Sequence, residues 1–325
     1  MNYFSFEKQK DHYFNRPLST VPRFQIGGKA CWRARDLRND LSWNKSLEPK
    51  LIAEISKQVD YIISKNISIQ DIRLQDLDMP NFLSKVQSWK DQLINGLGVL
   101  LIRGFPIDKW QTVEAEIATW CMGLMLGVPG GQNLSEDLLG HVTNNQSLGG
   151  ESNSRLYKTN QPISYHCDYA DVVGLMCLSQ ATTGGASRIA SSVSVHDMIL
   201  DANYSLLERL YKPIWLDTRD ESDEPAVSVL PCTYDGQVVR TFYHSDYMRS
   251  VNRHGGKYQL DDITKQLLDT YDEIANDPRF GFDMRLEPGD FQLLSNHFTI
   301  HSRTGYVDHP NRPRHLLRLW LSMYR

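Results

Sequence analysis

Apolar residues recur at helical spacing over the first third of the chain. Between residues 48 and 66 they fall three or four positions apart, on one face of a helix: Leu51, Ile52, Ile55, Val59, Ile62 and Ile63. A second helix is predicted from Phe82 to the stop signal Asn95-Gly96, and a third over 113–125, with Gly127 at its end. Between these two helices, the short apolar run LGVLLIRGF is typical of a buried strand.

Beyond residue 140 the pattern changes to short apolar stretches separated by turns. The predicted strands are PISYHCDY, VVGLMCLSQ, TTGGASRIASS, GQVVRTFYH, FDMRL, FQLLS and HLLRLWLSMY. Helical spacing returns twice, near 194–211 and 261–276. Many short strands separated by glycine and proline turns are typical of a sandwich or a barrel. We therefore predict a mainly β fold with flanking helices and a double-stranded β-helix core, the cupin-like jelly roll.

No linker rich in glycine, serine or proline divides the chain, so we predict a single domain over residues 1–325. In this prediction a helical part, about 1–95, packs on a jelly-roll core of about 96–325. The stretch 217–280 is predicted to be an insertion that acts as a lid and a specificity loop, because it is long and rich in polar residues. The same role is predicted for 142–155.

Composition and charge argue against several classes of protein. A net charge of −4 and a pI near 6.2 provide no electrostatic attraction for nucleic acid or an anionic membrane. The apolar stretches are too short to span a bilayer, and residues 1–14 lack the apolar segment of a signal peptide. We therefore expect a soluble, cytoplasmic protein that acts on a small molecule. The sequence leaves open whether the protein forms a homo-oligomer.

The cysteines are few, scattered and free of any C-x-x-C motif: Cys31, Cys121, Cys167, Cys177 and Cys232. Neither a disulfide framework nor a zinc site built from cysteines is expected from this pattern. Free thiols fit a reducing compartment, which agrees with a cytoplasmic location. A secreted protein with one or two disulfides is the alternative.

Two nearly identical pentapeptides, YHCDY at 165–169 and YHSDY at 243–247, each contain a histidine and an aspartate two positions apart. In a strand, residues two apart point to the same face, so His166 and Asp168 are expected to share one cavity. A strong strand pattern follows this first copy. The second copy runs into the polar stretch MRSVNRHGGK, so we interpret His244 as a surface residue or a residue at the rim of the substrate site.

A third ligand is expected near the C-terminus, where the candidates are His297, His301, His309 and His315. His301 ends FQLLSNHFTIH, a strand-like segment that we expect to face back towards the same cavity. In the final strand, Arg314, Arg318 and Trp320 are expected on one face. Guanidinium groups that point inward are costly unless an anion or a protein acid pairs with them.

Two histidines and one carboxylate are the ligand set of non-haem Fe(II) oxygenases. An arginine beside them can grip a dicarboxylate in a bidentate fork, which a lysine cannot do. The pattern therefore indicates an iron site with an organic diacid next to it. A purely structural hydrogen-bonded pair of His166 and Asp168 is the simpler alternative.

Five segments, in order along the chain, carry a resemblance to a known family: GLGVLLIRGF, YHCDYADVVGLMCL, TTGGASRIASS, EPGDFQLLSNHFTIHSRTGY and RPRHLLRLWL. Over roughly residues 96–325 the chain resembles the taurine dioxygenase/clavaminate synthase-like superfamily of Fe(II)/2-oxoglutarate-dependent oxygenases. The resemblance implies that His166, Asp168 and His301 bind Fe(II). It also implies that Arg314 holds the distal carboxylate of 2-oxoglutarate.

The resemblance implies further roles around the co-substrate and the substrate. Ser187, in GGAS, stands where the family commonly has a threonine that contacts the same carboxylate; a plain turn hydroxyl is the alternative. Arg318 matches a position that in some members binds an anionic group of the substrate, and pairing with a protein acid is its alternative role. Tyr157, Asn160 and His244 are further candidates for lining the co-substrate or substrate site.

The reaction implied by the resemblance is oxidation, by default hydroxylation, of a small organic substrate while 2-oxoglutarate and O2 become succinate and CO2. An acidic group, as in an amino acid or a natural-product intermediate, would suit Arg318. Asp168 argues against halogenation, which usually requires the position that this carboxylate fills. Desaturation, epoxidation and cyclisation remain open. A zinc hydrolase and a non-catalytic jelly-roll binding protein are alternatives from other classes.

Overall fold

Two β-sheets share a hydrophobic cluster and a cavity between their facing sides, and helices pack around them. The computed structural model describes residues 2–18, 20–144, 156–219 and 222–323. Most of the predicted loop 142–155 therefore lies outside the described residues. Within the described ranges, no helix has both the length and the apolar character that a membrane crossing requires.

The helices of the described chain flank the strands. They are α1 (Phe6–Phe14), α2 (Ala34–Asn39), α3 (Pro49–Ser64), α4 (Pro80–Ile94), α5 (Thr112–Leu126), α6 (Ser192–Ala202), α7 (Tyr204–Leu210), α8 (Ser245–Ser250) and α9 (Asp262–Asn276). The helices predicted within 48–66, 82–95 and 113–125 are confirmed as α3, α4 and α5. The later helical patterns are confirmed as the pair α6–α7 and as α9.

The strands are mostly short. They are β1 (Asn44–Ser46), β2 (Val99–Arg103), β3 (Val128–Pro129), β4 (Gly140–Val142), β5 (Ile163–His166), β6 (Val172–Ser179), β7 (Thr183–Gly184), β8 (Ser187–Ser191), β9 (Ile214–Asp217), β10 (Ala226–Val229), β11 (Cys232–Tyr234), β12 (Val239–Thr241), β13 (Phe282–Met284), β14 (Phe291–Ser295), β15 (Thr299–Arg303), β16 (Tyr306–Val307) and β17 (His315–Ser322).

The larger sheet has seven strands in the order β1-β2-β14-β6-β17-β3, with β4 also paired to β17. The smaller sheet has four strands in the order β13-β8-β15-β5. The pairings are antiparallel except for β1, which runs parallel to β2. The predicted double-stranded β-helix core with flanking helices is confirmed. Helices account for 38% of the residues and strands for 24%, so the helical layer is the larger part.

Strand β17 is almost continuously apolar because both of its faces are covered. Leu317 and Leu319 point outward and pack in a hydrophobic cluster with Trp120 of α5 and with α3 and α4. Leu316 and Trp320 point inward and pack with residues of the smaller sheet. The inward face also carries Arg318 of the candidate site, and Arg314 immediately precedes the strand.

The segment 217–280, predicted to be an insertion, is built of regular elements. It contains strands β10 to β12 and helices α8 and α9. Its residues Phe242, Leu267 and Tyr271 are buried in one cluster with Leu207 of α7. The segment therefore forms a packed layer with its own apolar contacts.

Helix α1 is fastened to the core by a carboxylate that lies between two histidines. Asp171 has Oδ2 2.8 Å from Nε2 of His12 on α1 and Oδ1 2.6 Å from Nε2 of His297. The backbone N–H of Met323 donates to the same carboxylate at 2.7 Å. Burial, aided by the positive charge of Arg16, lowers the pKa of His297 to about 4. This imidazole is therefore neutral in the folded protein near neutral pH.

We expect His297 to make the fold less stable as the pH falls from about 6.5 towards 4. The unfolded chain takes up a proton at the ordinary histidine pKa of 6.5, whereas the folded His297 does so only near pH 4. The free energy of unfolding therefore decreases over this pH range, by on the order of 3 kcal/mol at pH 4. Above pH 6.5 His297 has no such effect. Thermal unfolding of the His297→Gln variant should show a shallower fall in Tm with decreasing pH than the unchanged protein.

The control for this measurement is His309→Gln, because His309 is exposed. Its Tm should fall with pH as steeply as that of the unchanged protein. Equal slopes for His297→Gln and the unchanged protein would contradict the assignment.

Candidate functional site

Two neighbouring strands of the smaller sheet bring the candidate ligands together. His166 ends β5 and is paired with His301 on β15, and their ring centroids are 4.1 Å apart. Asp168 lies just beyond the end of β5, and its Oδ2 is 3.7 Å from Nε2 of His301. One ligand atom from each of the three residues lies within 4.8 Å of the others. Among the described residues this is the only such group of three or more His, Cys, Asp or Glu side chains.

The donor atoms of this group fit a metal ion. Nδ1 of His166 is 2.9 Å from the carbonyl oxygen of Ser164; a bond donated there places the proton on Nδ1 and leaves the lone pair of Nε2 available. Oδ2 of Asp168 and Nδ1 of His301 are buried and have no hydrogen-bond partner among the described residues. Buried polar atoms without partners are rare, and a bound ion is one of their ordinary explanations.

The protonation states of the group also suit a metal ion. Burial is the main cause that lowers the pKa of His301 to about 3, so its imidazole is neutral. Burial acts to raise the pKa of Asp168, but the positive charge of Arg318 is the largest influence in the other direction, and that pKa lies below its ordinary value. A neutral imidazole and an ionised carboxylate are the forms that bind metals.

A cavity between the two sheets, here called the inner cavity, lies on one side of the group. In addition to the three candidate ligands, its walls include Val173, Ser187, Arg303, Arg314 and Leu316. Arg314 is only 4% exposed, and its Nε and Nη1 have no hydrogen-bond partner among the described residues. Burial lowers the pKa of this guanidinium, but arginine stays charged at neutral pH. A buried, unpaired guanidinium is suited to bind a carboxylate.

The turn between β7 and β8 allows the chain to pass close to this arginine. Gly184 and Gly185 have φ angles of +73° and +72°, which glycine adopts readily. A Cβ at Gly185 would lie 3.0 Å from Nε of Arg314. Ser187 follows the turn, lines the inner cavity and donates from Oγ to Oε1 of Gln292 at 3.1 Å. Its hydroxyl is therefore placed in the same cavity as Arg314.

A second cavity, here called the outer cavity, lies on the other side of His166 and Asp168. Its walls are mostly aromatic and include Phe6, Tyr157, Tyr169, Tyr247 and Trp320, together with Gln132, His244 and Arg318. Arg318 lines both cavities. Its Nη1 donates to Oδ1 of Asp168 at 3.2 Å, and its Nε donates to Oε1 of Gln132 at 2.8 Å. Arg318 therefore pairs with a carboxylate of the protein in this structure, and its guanidinium also faces both cavities.

His244 lies beside the candidate ligands and not at the surface of the protein. Its ring centroid is 5.1 Å from that of His166, and its ring stacks on Tyr247 at 3.8 Å. Burial lowers the pKa of His244 well below its ordinary value, so the ring is neutral. His244 lines the outer cavity, because β12 and α8 fold the second pentapeptide back against β5.

The other predicted residues fall into two groups. Tyr157 lines both cavities, and its ring centroid is 4.6 Å from Cζ of Arg318. Asn160 lines neither cavity; its backbone carbonyl accepts a hydrogen bond from the backbone N–H of Tyr306 at 3.1 Å. Of the rival histidines, His297 contacts Asp171, His309 is exposed, and the remaining one, His315, pairs with a histidine of β4.

Sequence reasoning missed Arg303 and Phe6. Arg303 lies two residues after His301 in the same strand, so strand alternation alone places it on the face of the candidate ligands. Phe6 belongs to α1, far from every motif in the sequence, and it is positioned by tertiary contacts. Both carboxylate oxygens of Glu136 accept from its backbone N–H, at 3.0 and 3.1 Å.

Comparisons with known proteins agree with this geometry. Residues 65–320 match the model of the taurine catabolism dioxygenase TauD, TfdA family. The FR-33289 synthase of Streptomyces rubellomurinus is 28% identical over 310 residues, which cover 92% of this chain and 90% of that protein.

Solved structures with the same fold contain iron and small organic acids. An asparagine oxygenase in complex with Fe(II), 2S,3S-3-hydroxyasparagine and succinate superposes with a TM-score of 0.68 and 14% identity, over 86% of this chain and 93% of its own. The oxygenase OrfP with Fe and alpha-ketoglutaric acid superposes with a TM-score of 0.64 and 14% identity, over 86% of this chain and 94% of its own. OrfP with Fe, succinate and (3S)-hydroxy-L-Arg superposes with a TM-score of 0.66 and 12% identity, again over 86% of this chain and 94% of its own.

We expect His166→Ala and Asp168→Ala each to weaken the binding of a divalent metal by more than about 100-fold, because a direct ligand is lost. The measurement is a titration of the purified protein with Co(II), followed by absorption. His244→Ala serves as the matched control, since it removes a neighbouring imidazole outside the group of three and should leave the affinity unchanged. If His244→Ala abolishes binding and His166→Ala does not, the wrong pentapeptide has been assigned.

Proposed function

Since the chain belongs to the taurine catabolism dioxygenase TauD, TfdA family, we propose that its activity is carried by His166, Asp168 and His301 as ligands of Fe(II). The chain is an Fe(II)/2-oxoglutarate-dependent oxygenase. What supports the assignment is one observation: three suitable ligand atoms lie within 4.8 Å of one another, beside a cavity that contains the unpaired guanidinium of Arg314.

When bound, iron and 2-oxoglutarate supply the oxidation of a substrate by O2, with release of succinate and CO2. The protein holds the ion with two neutral imidazoles and one carboxylate. The hydrogen bond between His166 and the Ser164 carbonyl fixes the orientation of that ring. The Arg318 guanidinium, 3.2 Å from Asp168, keeps this carboxylate ionised and limits its rotation.

The inner cavity is proposed to bind 2-oxoglutarate. Arg314 would pair with the distal carboxylate of this co-substrate, and the Ser187 hydroxyl would add a hydrogen bond. Leu316 and Val173 provide apolar walls for the methylene groups between the two ends. The Gly184-Gly185 turn supports this arrangement, because any larger residue at 185 would press on Arg314.

The outer cavity is proposed to bind the substrate, a small molecule with an acidic group such as an amino acid. Arg318 faces this cavity and can contact an anionic group of the substrate. Tyr157, Tyr169, Tyr247 and Trp320 form apolar walls that exclude water from the oxidation. Solved relatives of the same fold hold hydroxylated asparagine and arginine, which supports an amino acid-like substrate and hydroxylation as the outcome.

The other reaction classes are less well supported. A zinc hydrolase has no use for an unpaired arginine in a cavity beside the metal, and family membership places this chain among oxygenases. We also propose that the protein works in the cytoplasm, because all five of its cysteines are free thiols.

The proposed function is tested by succinate release from 2-oxoglutarate in the presence of Fe(II) and O2. The purified protein is screened against amino acids and small organic acids, and mass spectrometry detects products heavier by about one oxygen atom. Turnover should require both Fe(II) and O2 and should be absent in Asp168→Ala. Succinate formation that persists in Asp168→Ala, or that needs no O2, would overturn the proposal.

Replacement of Arg314 by alanine should raise the KM for 2-oxoglutarate by at least about tenfold, because a charge-assisted bidentate contact is lost. Metal affinity, measured separately with Co(II), should change little, since Arg314 is not a ligand. The KM of Arg314→Lys for 2-oxoglutarate should lie between those of the unchanged protein and Arg314→Ala, because lysine keeps the positive charge but cannot make the bidentate contact. Equal losses in co-substrate and metal binding would contradict the role given to Arg314.

A further inference from the structure

A second arginine, Arg303, lies in the inner cavity beside Arg314. It ends β15, two residues after His301, and is only 7% exposed. Arginine side chains stay protonated in proteins near neutral pH, even when they are buried. The guanidinium is therefore charged at neutral pH, although both burial and its neighbour disfavour that charge.

The two guanidinium groups share one aromatic ring. Cζ of Arg303 lies 4.9 Å from the ring centroid of Tyr306, and Cζ of Arg314 lies 5.1 Å from the same centroid. The nearby Asp308 carboxylate accepts the backbone N–H of Arg314 at 2.7 Å and attracts both cations. Two buried like charges in one cavity repel each other, and a carboxylate bound in that cavity would relieve the repulsion.

Arg303 also holds the segment that covers the site. Its Nη2 donates to the carbonyl of Thr159 at 2.8 Å and to the carbonyl of Gln161. The backbone N–H of Tyr306 donates to the carbonyl of Asn160 between them. This segment, 156–162, carries Tyr157, which lines both cavities. Arg303 thus connects the part of the inner cavity that contains the two arginines to the wall of the outer cavity formed by Tyr157.

We propose that Arg303 is a second binding residue for the distal carboxylate of the co-substrate, and that it couples occupancy of the inner cavity to the position of the segment 156–162. The inference rests on the proposed function, because it takes 2-oxoglutarate as the occupant. A carboxylate that neutralises Arg303 and Arg314 together lets both side chains stay in place, and Arg303 then keeps its two carbonyl contacts. The wall of the proposed substrate cavity formed by Tyr157 is thereby held in place when the co-substrate binds.

The test compares two keto acids that differ at the distal end. Both 2-oxoglutarate and 2-oxobutanoate have the same keto-acid group, but only the first has a second carboxylate. Dissociation constants are measured by calorimetry on the Fe(II)-loaded protein without oxygen. Arg303→Gln should raise the Kd of 2-oxoglutarate about 10- to 100-fold and leave that of 2-oxobutanoate unchanged.

Two further variants separate binding from folding. Arg303→Lys keeps a positive charge at the end of a long side chain and should recover part of the preference for 2-oxoglutarate, which also provides a readout if Arg303→Gln does not fold. Arg312→Gln removes an arginine that is close in sequence and exposed, so it controls for the change in net charge and should behave like the unchanged protein.

Hydrogen exchange supplies a second measurement that does not depend on turnover. In the unchanged protein, 2-oxoglutarate should slow amide exchange in peptides that cover 156–162, whereas 2-oxobutanoate should not. In Arg303→Gln this difference between the two keto acids should disappear.

Three results would overturn the inference. If Arg303→Gln weakens both keto acids equally, Arg303 only supports the fold of the cavity. If Arg303→Gln weakens the binding of neither keto acid, and amide exchange in 156–162 responds to 2-oxoglutarate as in the unchanged protein, Arg303 has no part in binding. If the unchanged protein itself shows no preference for 2-oxoglutarate over 2-oxobutanoate, the proposed function fails, and this inference fails with it.

Discussion

The structure depends on keeping charged side chains buried between two β-sheets, away from water. Asp168, Arg303 and Arg314 are each less than a tenth exposed. Burial of such groups costs several kcal/mol each unless other charges and hydrogen bonds satisfy them. Asp168 is balanced by Arg318 within the protein, whereas Arg303 and Arg314 share a cavity in which, under the proposed function, a bound carboxylate would offset their like charges. The site is therefore part of the electrostatic balance of the core, and its ligands are expected to stabilise the fold as they bind.

The jelly roll can hold this charge because its apolar packing is provided mainly on the other side of the larger sheet. Along β17 the residues that point outward are leucines packed under α3 to α5, whereas the inward positions include Arg318. The antiparallel pairing of β5 and β15 then sets His166 opposite His301. Rigid backbone pairing thus places the imidazoles, and the neighbouring charges set the protonation of the carboxylate between them.

Periodicity and motif order predicted the fold class and the group of His166, Asp168 and His301, because these depend on local strand patterns. Strand β5 ends at His166, yet Asp168, two residues further on, lines the same two cavities as His166, and Cys167 between them packs in a separate apolar cluster. The polar strand β1 was not predicted, and the sequence left open whether His244 lies at the surface or at the rim of a site, because long-range pairing decides both. Strand alternation after His301 would have predicted that Arg303 faces the same cavity.

Helix α1 has a consequence for how the specificity of this enzyme could diversify. Phe6 forms part of the wall of the outer cavity, yet it lies before residue 65, where the match to the family model begins. The proposed metal ligands lie within the residues matched to the family model, while one wall of the proposed substrate cavity comes from a segment that precedes them. Substitutions at the Phe6 end of α1 would therefore reshape the wall of the proposed substrate cavity without altering the proposed metal ligands.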